Sequence, residues 1–111
     1  MKKLTIVYAG ILLLFSINVF AEAHIDQAIE HTNAAIEHGK AGHASVVLEH
    51  ARPALEHAMG GSVLAKGVAR SHMDYALADL EEVIKHAKMG HADVATTYAE
   101  TALEHLKAAN K

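Results

Sequence analysis

From residue 24 onward, apolar side chains recur at a spacing that keeps them on one side of an α-helix. With His24, His31 and His38 at position g of a seven-residue repeat, position a holds Ile25 and Thr32, d holds Ala28 and Ala35, and e holds Ile29 and Ile36. Starting again from His43, His50 and His57, the repeat places Ala44 and Ala51 at a, Val47 and Ala54 at d, and Leu48 and Leu55 at e. It resumes from His72, with Met73 and Leu80 at a, Ala76 and Val83 at d, and Leu77 and Ile84 at e. From His91 it gives Ala92, Ala99 and Leu106 at a, Ala102 at d and Leu103 at e. An apolar a/d/e stripe is the core-facing side of an amphipathic helix. Four segments sharing one register predict four helices of one kind.

The breaks between them agree. Gly39-Lys40-Ala41-Gly42 and Ala87-Lys88-Met89-Gly90 each supply a glycine able to take the left-handed conformation that ends a helix. The stretch MGGSVLAKGVAR, residues 59–70, holds three glycines and interrupts the stripe, so it is the predicted linker. Pro53 falls inside the second helix, where it is predicted to kink the chain at a cost of about 3 kcal/mol. Sliding the chain by 48 positions aligns residues 24–58 with 72–106, and 15 of the 35 pairs are identical. The predicted fold is therefore all-α: an antiparallel four-helix bundle made from two duplicated helical hairpins, about 24–58 and 72–106. Alanine fills much of a and d, so the helices can approach closely around a thin core. Marginal stability in the absence of a ligand follows.

Residues 1–21, MKKLTIVYAGILLLFSINVFA, have a different character: two lysines, a long apolar run and small residues at the end. This is the layout of a secretory signal peptide. The expected cut follows Ala21, with Ala23 as a second option; the run is also long enough to stay as an anchor. The domain would then be residues 22–111, expected in a bacterial periplasm and meeting the membrane only through its signal during export. The absence of cysteine excludes disulfides, a lipidated N-terminus and covalently attached haem. Residues 22–111 carry eight basic and thirteen acidic side chains, a formal charge of 8 − 13 = −5. Nucleic acid is not an expected partner, because phosphate binding needs a basic face. Cations are.

All ten histidines lie in that acidic segment: His24, His31, His38, His43, His50, His57, His72, His86, His91 and His105. Seven residues along a helix span about 10.5 Å, and metal–imidazole bonds are about 2 Å long. Two histidines one heptad apart therefore cannot share an ion. Same-helix chelation needs partners three or four residues away, and those places hold Gln27, Ala28, Ala34, Ala35, Val46 and Ala54. Sites must be built between helices. Antiparallel packing within hairpins pairs His24 with His57, His31 with His50 and His38 with His43, numbers that all sum to 81. In the second hairpin His72/His105 and His86/His91 sum to 177, as do Asp79 and Tyr98 between them, which makes that middle place weak or empty. The alternative pairs the histidine edge of the first helix with the fourth and of the second with the third, although the turns keep His38 by His43 in either case.

Imidazole pairs suit Cu(II), Ni(II), Zn(II) and Co(II), and the Irving–Williams order puts Cu(II) first. Glu30, Glu37, Glu49, Glu56 and Glu104 each precede a histidine at position f and are expected to face solvent, contributing field and outer support. Met59, Met73 and Met89 read as packing, and Tyr75 and Tyr98 as edge packing. A cut after Ala21 would expose Glu22-Ala23-His24, an amine with histidine third, which chelates Cu(II) or Ni(II) in a square plane. No nucleophile stands with a base and its orienter, so an enzyme is not expected. Two other classes compete with metal binding: a pH-responsive helical interaction module, and a b-type haem protein using two histidines.

The segments HIDQAIEHTNAAIEHGKAGHASVVLEHARPALEHA and DVATTYAETALEHLKAANK, heptads ending in Glu-His behind an export signal, resemble the bacterial small metal-binding protein family. The likeness covers essentially all of residues 22–111. It implies a periplasmic monomer that binds several divalent cations with a preference for copper, serving metal buffering or tolerance. It carries over all ten histidines as ligands. Asp79 and Tyr98 depart from the pattern, which puts one site of the second hairpin in doubt.

Overall fold

The computed structural model describes residues 2–111, with side chains from residue 20 onward. Four helices follow in order among the described residues: α1 (Lys2–Lys40), α2 (Ala44–Ser62), α3 (Gly67–Lys88) and α4 (Ala92–Ala109). Helix α1 lies along α2 and α3 along α4, and the hairpins join through α2 with α3 and α1 with α4. This is the antiparallel four-helix bundle that the register predicts. The predicted signal segment lies, up to residue 19, outside the residues whose side chains are described.

Both hairpin turns are closed by the same backbone device. Gly42 and Gly90 take φ of +80° and +78°, a region that a Cβ makes costly. The Gly42 amide donates to the Gly39 carbonyl at 3.0 Å and the His43 amide to the His38 carbonyl at 2.9 Å. In the second hairpin Gly90 donates to Ala87 at 3.0 Å and His91 to His86 at 2.9 Å. These paired bonds form a Schellman motif, which satisfies carbonyls that the helix end would leave orphaned. His43 and His91 then start the next helices, and neither side chain caps the helix it begins. Their rings stay available for other partners.

The a and d positions form the core. Ala28, Ala35, Val47, Ala51, Ala54, Met73, Ala76, Leu80, Val83, Ala99, Ala102 and Leu106 are fully buried, while the e positions are half-buried. Few of these side chains are large, as the alanine-rich stripe predicts. Among the described residues three hydroxyls are buried, and Ser62 Oγ donates to the Met59 carbonyl at 2.8 Å. Thr32 Oγ1 donates to the Ala28 carbonyl at 2.7 Å and Thr96 Oγ1 to Ala92 at 2.6 Å, which meets their hydrogen-bonding need within the helix.

The predicted linker over 59–70 is too long. Helix α2 continues to Ser62 and α3 begins at Gly67, leaving only residues 63–66 between them. Of the three glycines responsible for that expectation, Gly60 and Gly61 serve close packing instead, and only Gly67, at φ +59°, marks the break. A Cβ on Gly61 would lie 2.7 Å from Ile25 Cγ1, and one on Gly60 3.1 Å from the ring of His24. Gly39 plays the same part between α1 and α4, where a Cβ would collide with Thr96. Helix α2 also runs unbroken across Pro53.

Candidate functional site

The g positions place the histidines along the seams inside each hairpin. Eight of them are half-buried, and His43 and His91, at the turns, are exposed. The Nδ1 atoms of His24 and His57 lie 3.1 Å apart, those of His31 and His50 3.4 Å, and those of His72 and His105 2.9 Å. At the turns, the rings of His38 and His43 are centred 6.1 Å apart, and those of His86 and His91 also 6.1 Å. All five predicted pairs thus form within hairpins; the alternative pairing between hairpins is not adopted.

Neighbouring rungs are also linked. His31 stacks on His57 at 5.9 Å and 5°, and His38 on His50 at 5.6 Å and 7°. Six imidazoles therefore run as one zigzag up the first hairpin: His24, His57, His31, His50, His38, His43. In the second hairpin Asp79 and Tyr98 interrupt the series. Tyr98 stacks on His86 at 5.6 Å, taking the place that His50 holds against His38, and Tyr75 stacks on His105 at 5.1 Å. Both tyrosines are the edge packing predicted for them, although Tyr75 remains largely exposed. Met73 is core, whereas Met59 and Met89 are exposed.

Two groups in these seams titrate away from their ordinary values. Burial holds His31 below the usual imidazole range, and the neighbouring His50 and His57 push it further down, against an opposing pull from Glu30. Burial raises the carboxyl of Asp79; His105 works against that rise and Glu82 adds to it. The Asp79 carboxylate is thus charged at a cost, and the neutral, ligating form of His31 is favoured over its charged form.

The spacing of the paired nitrogens matches what one ion requires. With metal–nitrogen bonds of about 2.0 Å, two ligands sit about 2.8 Å apart at a right angle and about 3.3 Å apart in a tetrahedron. The three Nδ1 pairs, at 2.9, 3.1 and 3.4 Å, lie within about 0.1 Å of that range. A hydrogen bond between the two Nδ1 atoms, with one ring as donor and the other as acceptor, lies where an ion would sit. Among the described residues, no three His, Cys, Asp or Glu side chains converge on one point, so each rung offers two protein nitrogens and leaves the other positions to solvent. Glu30, Glu37, Glu49, Glu56 and Glu104 are all exposed, as their f positions predict.

Glu82 is the residue that sequence reasoning missed. Its Oε2 lies 3.5 Å from His86 Nε2, one turn along α3. The signal was present, a carboxylate four residues before a histidine. The corresponding place in the first hairpin is Ala34, so the first copy carries no trace of it.

The small metal-binding protein family model matches residues 1–109. No curated protein matches the chain.

Proposed function

Because the chain belongs to the small metal-binding protein family, we propose that it binds several divalent cations on its imidazole rungs and acts as a reversible metal buffer or sequestering protein. One observation carries this reading: three pairs of Nδ1 atoms are held 2.9–3.4 Å apart, the separation of two ligands on one ion. The ligands are His24 with His57, His31 with His50, His38 with His43, His72 with His105 and His86 with His91. Neutral imidazole pairs favour Cu(II) over Ni(II), Zn(II) and Co(II). Rungs with two protein ligands and open coordination positions suit exchange more than a fixed catalytic metal, so the role is binding without catalysis. The signal-like residues 1–21 support a periplasmic site of action. A cut after Ala21 would add the Glu22-Ala23-His24 amine chelate, and Glu22 and Ala23 are exposed as that requires. The protein acts as a monomer, its acidic surface concentrating cations.

Titration of metal-free protein with Cu(II) at neutral pH tests the reading. Several equivalents should bind, and most should be released near pH 5 as imidazoles protonate. Uptake of one equivalent or none would reject it. A second reading, an acid-opened helical module without metal, draws on the same close pairs, since protonating both rings sets like charges about 3 Å apart. Acid unfolding that is unchanged by metal would favour that reading.

A further inference from the structure

The five rungs are not equivalent before metal arrives. In three of them the Nδ1 atoms face each other at 2.9–3.4 Å, so each ligand nitrogen already has a partner. His86 differs on both sides of its ring. Its Nδ1 is the one buried side-chain nitrogen or oxygen without a hydrogen-bond partner among the described residues. Its Nε2 faces the Glu82 carboxylate at 3.5 Å. A carboxylate there favours the tautomer that carries the proton on Nε2. The lone pair is then on Nδ1, in the buried and unpartnered position.

We propose that His86 and His91 form the first-loading metal site, with Glu82 as its positioning residue. The inference rests on the metal-binding reading above and assigns an order within it. An outer carboxylate that holds the non-ligating N–H of a histidine fixes its tautomer and makes the other nitrogen a better donor. A buried acceptor without a partner is costly, and an arriving cation relieves that cost. The paired rungs gain less, because an ion must first break the Nδ1 to Nδ1 hydrogen bond. His91 is free to follow. It is exposed, its side chain makes no cap, and the Gly90 turn holds its ring 6.1 Å from that of His86. Tyr98 stacks on the other side of His86 and limits its rotation. The matching turn of the first hairpin has Ala34 where the second has Glu82, so His38 and His43 lack this preparation.

Long-range nitrogen–proton NMR of the purified protein tests this, with Zn(II) as a diamagnetic probe. Metal-free protein should show His86 as the Nε2–H tautomer. Substoichiometric Zn(II) should shift His86 and His91 before the other eight histidines. Glu82→Ala should lose the tautomer bias and weaken this site about tenfold, moving its response to later equivalents while the His24/His57 response stays where it was. Glu82→Gln, whose carbonyl can still accept the N–H, should keep the tautomer and most of the early response. Circular dichroism of each variant checks that the bundle is retained. Parallel shifts at all rungs, or an unchanged loading order in Glu82→Ala, would overturn the proposal and leave the metal-binding reading standing. Zn(II) that shifts no imidazole would overturn both.

Discussion

The backbone amide of His43 donates to the carbonyl of His38 at 2.9 Å, so the bond that ends α1 also sets the spacing of a histidine pair. Gly42 makes the bond available by taking φ of +80°, with no atom within 4 Å of where its Cβ would lie. Strain there is conformational, not steric crowding. Gly42→Val should therefore destabilise the protein by at least about 1–2 kcal/mol, while Gly42→Asn, which tolerates this region better, should cost less. Thermal unfolding gives the ranking. In a metal titration followed by NMR, Gly42→Val should weaken the responses of His38 and His43 together and leave His72 and His105 unaffected.

The close helix crossings make the opposite kind of prediction, one of contact. Gly61 faces Ile25 with no room for a Cβ, and Gly39 faces Thr96 in the same way. Gly61→Val should cost about 1–3 kcal/mol by overpacking, although valine at a flexible linker would be tolerated. Gly39→Ala should be similarly costly, and adding Thr96→Ala should recover part of the loss. Urea midpoints of the two single variants and the double variant measure the recovery. Equal stability of Gly39→Ala and wild type would rule out the close approach.

Much of this was legible in the order of residues because two periodicities reinforce each other. The apolar stripe gives helix faces, and the histidines sit at one fixed offset from it, so locating one locates the other. Pairing within hairpins was favoured by the short Gly-His turns, whereas the heptad register alone fits pairing between hairpins equally well. The length of the linker was not legible. Gly60 and Gly61 look like a break until the partner helix is known, because a glycine that ends a helix and one that admits a neighbour are the same letter. The stacking of His31 on His57 depends on the stagger between α1 and α2, which no single-helix pattern contains. Glu82 was hidden by the duplication itself, since the equivalent Ala34 of the first copy gives no sign of a carboxylate there.

His31 ties stability to pH. Its folded value lies below the ordinary 6.5, so between the two the unfolded chain binds more protons than the folded one. The stability this neutral ring contributes is complete above 6.5 and is lost as pH falls through that window. The urea midpoint should therefore fall as pH drops below about 6.5, and His31→Gln should flatten the slope. Cations that bind the folded state should hold stability up at the same pH by mass action.

Asp79 acts with the opposite sign. Its folded value lies above the ordinary 3.8, so the folded state binds more protons in between, and stability falls as pH rises through that window. At neutral pH the carboxylate opposes folding. Asp79→Asn should raise the unfolding midpoint at pH 7 and converge with wild type below pH 3.8, where both side chains are neutral. A neutral-pH midpoint below that of wild type would show that the attraction to His105 outweighs burial.

The broken middle rung of the second hairpin offers the most direct check of the ladder. Asp79 and Tyr98 stand where His31 and His50 stand in the first copy, and Tyr98 already stacks on His86 as His50 does on His38. The backbone that would present two imidazoles is therefore in place. Asp79→His with Tyr98→His should complete a third rung, and native mass spectrometry should count one more Cu(II) equivalent than in wild type. Tyr98→His alone should add none, because one imidazole and a carboxylate that burial keeps costly to charge make a poor pair. A double variant that folds as wild type yet binds no extra ion would mean that ladder register is not what makes a site, and the assignment of the remaining rungs would fall with it.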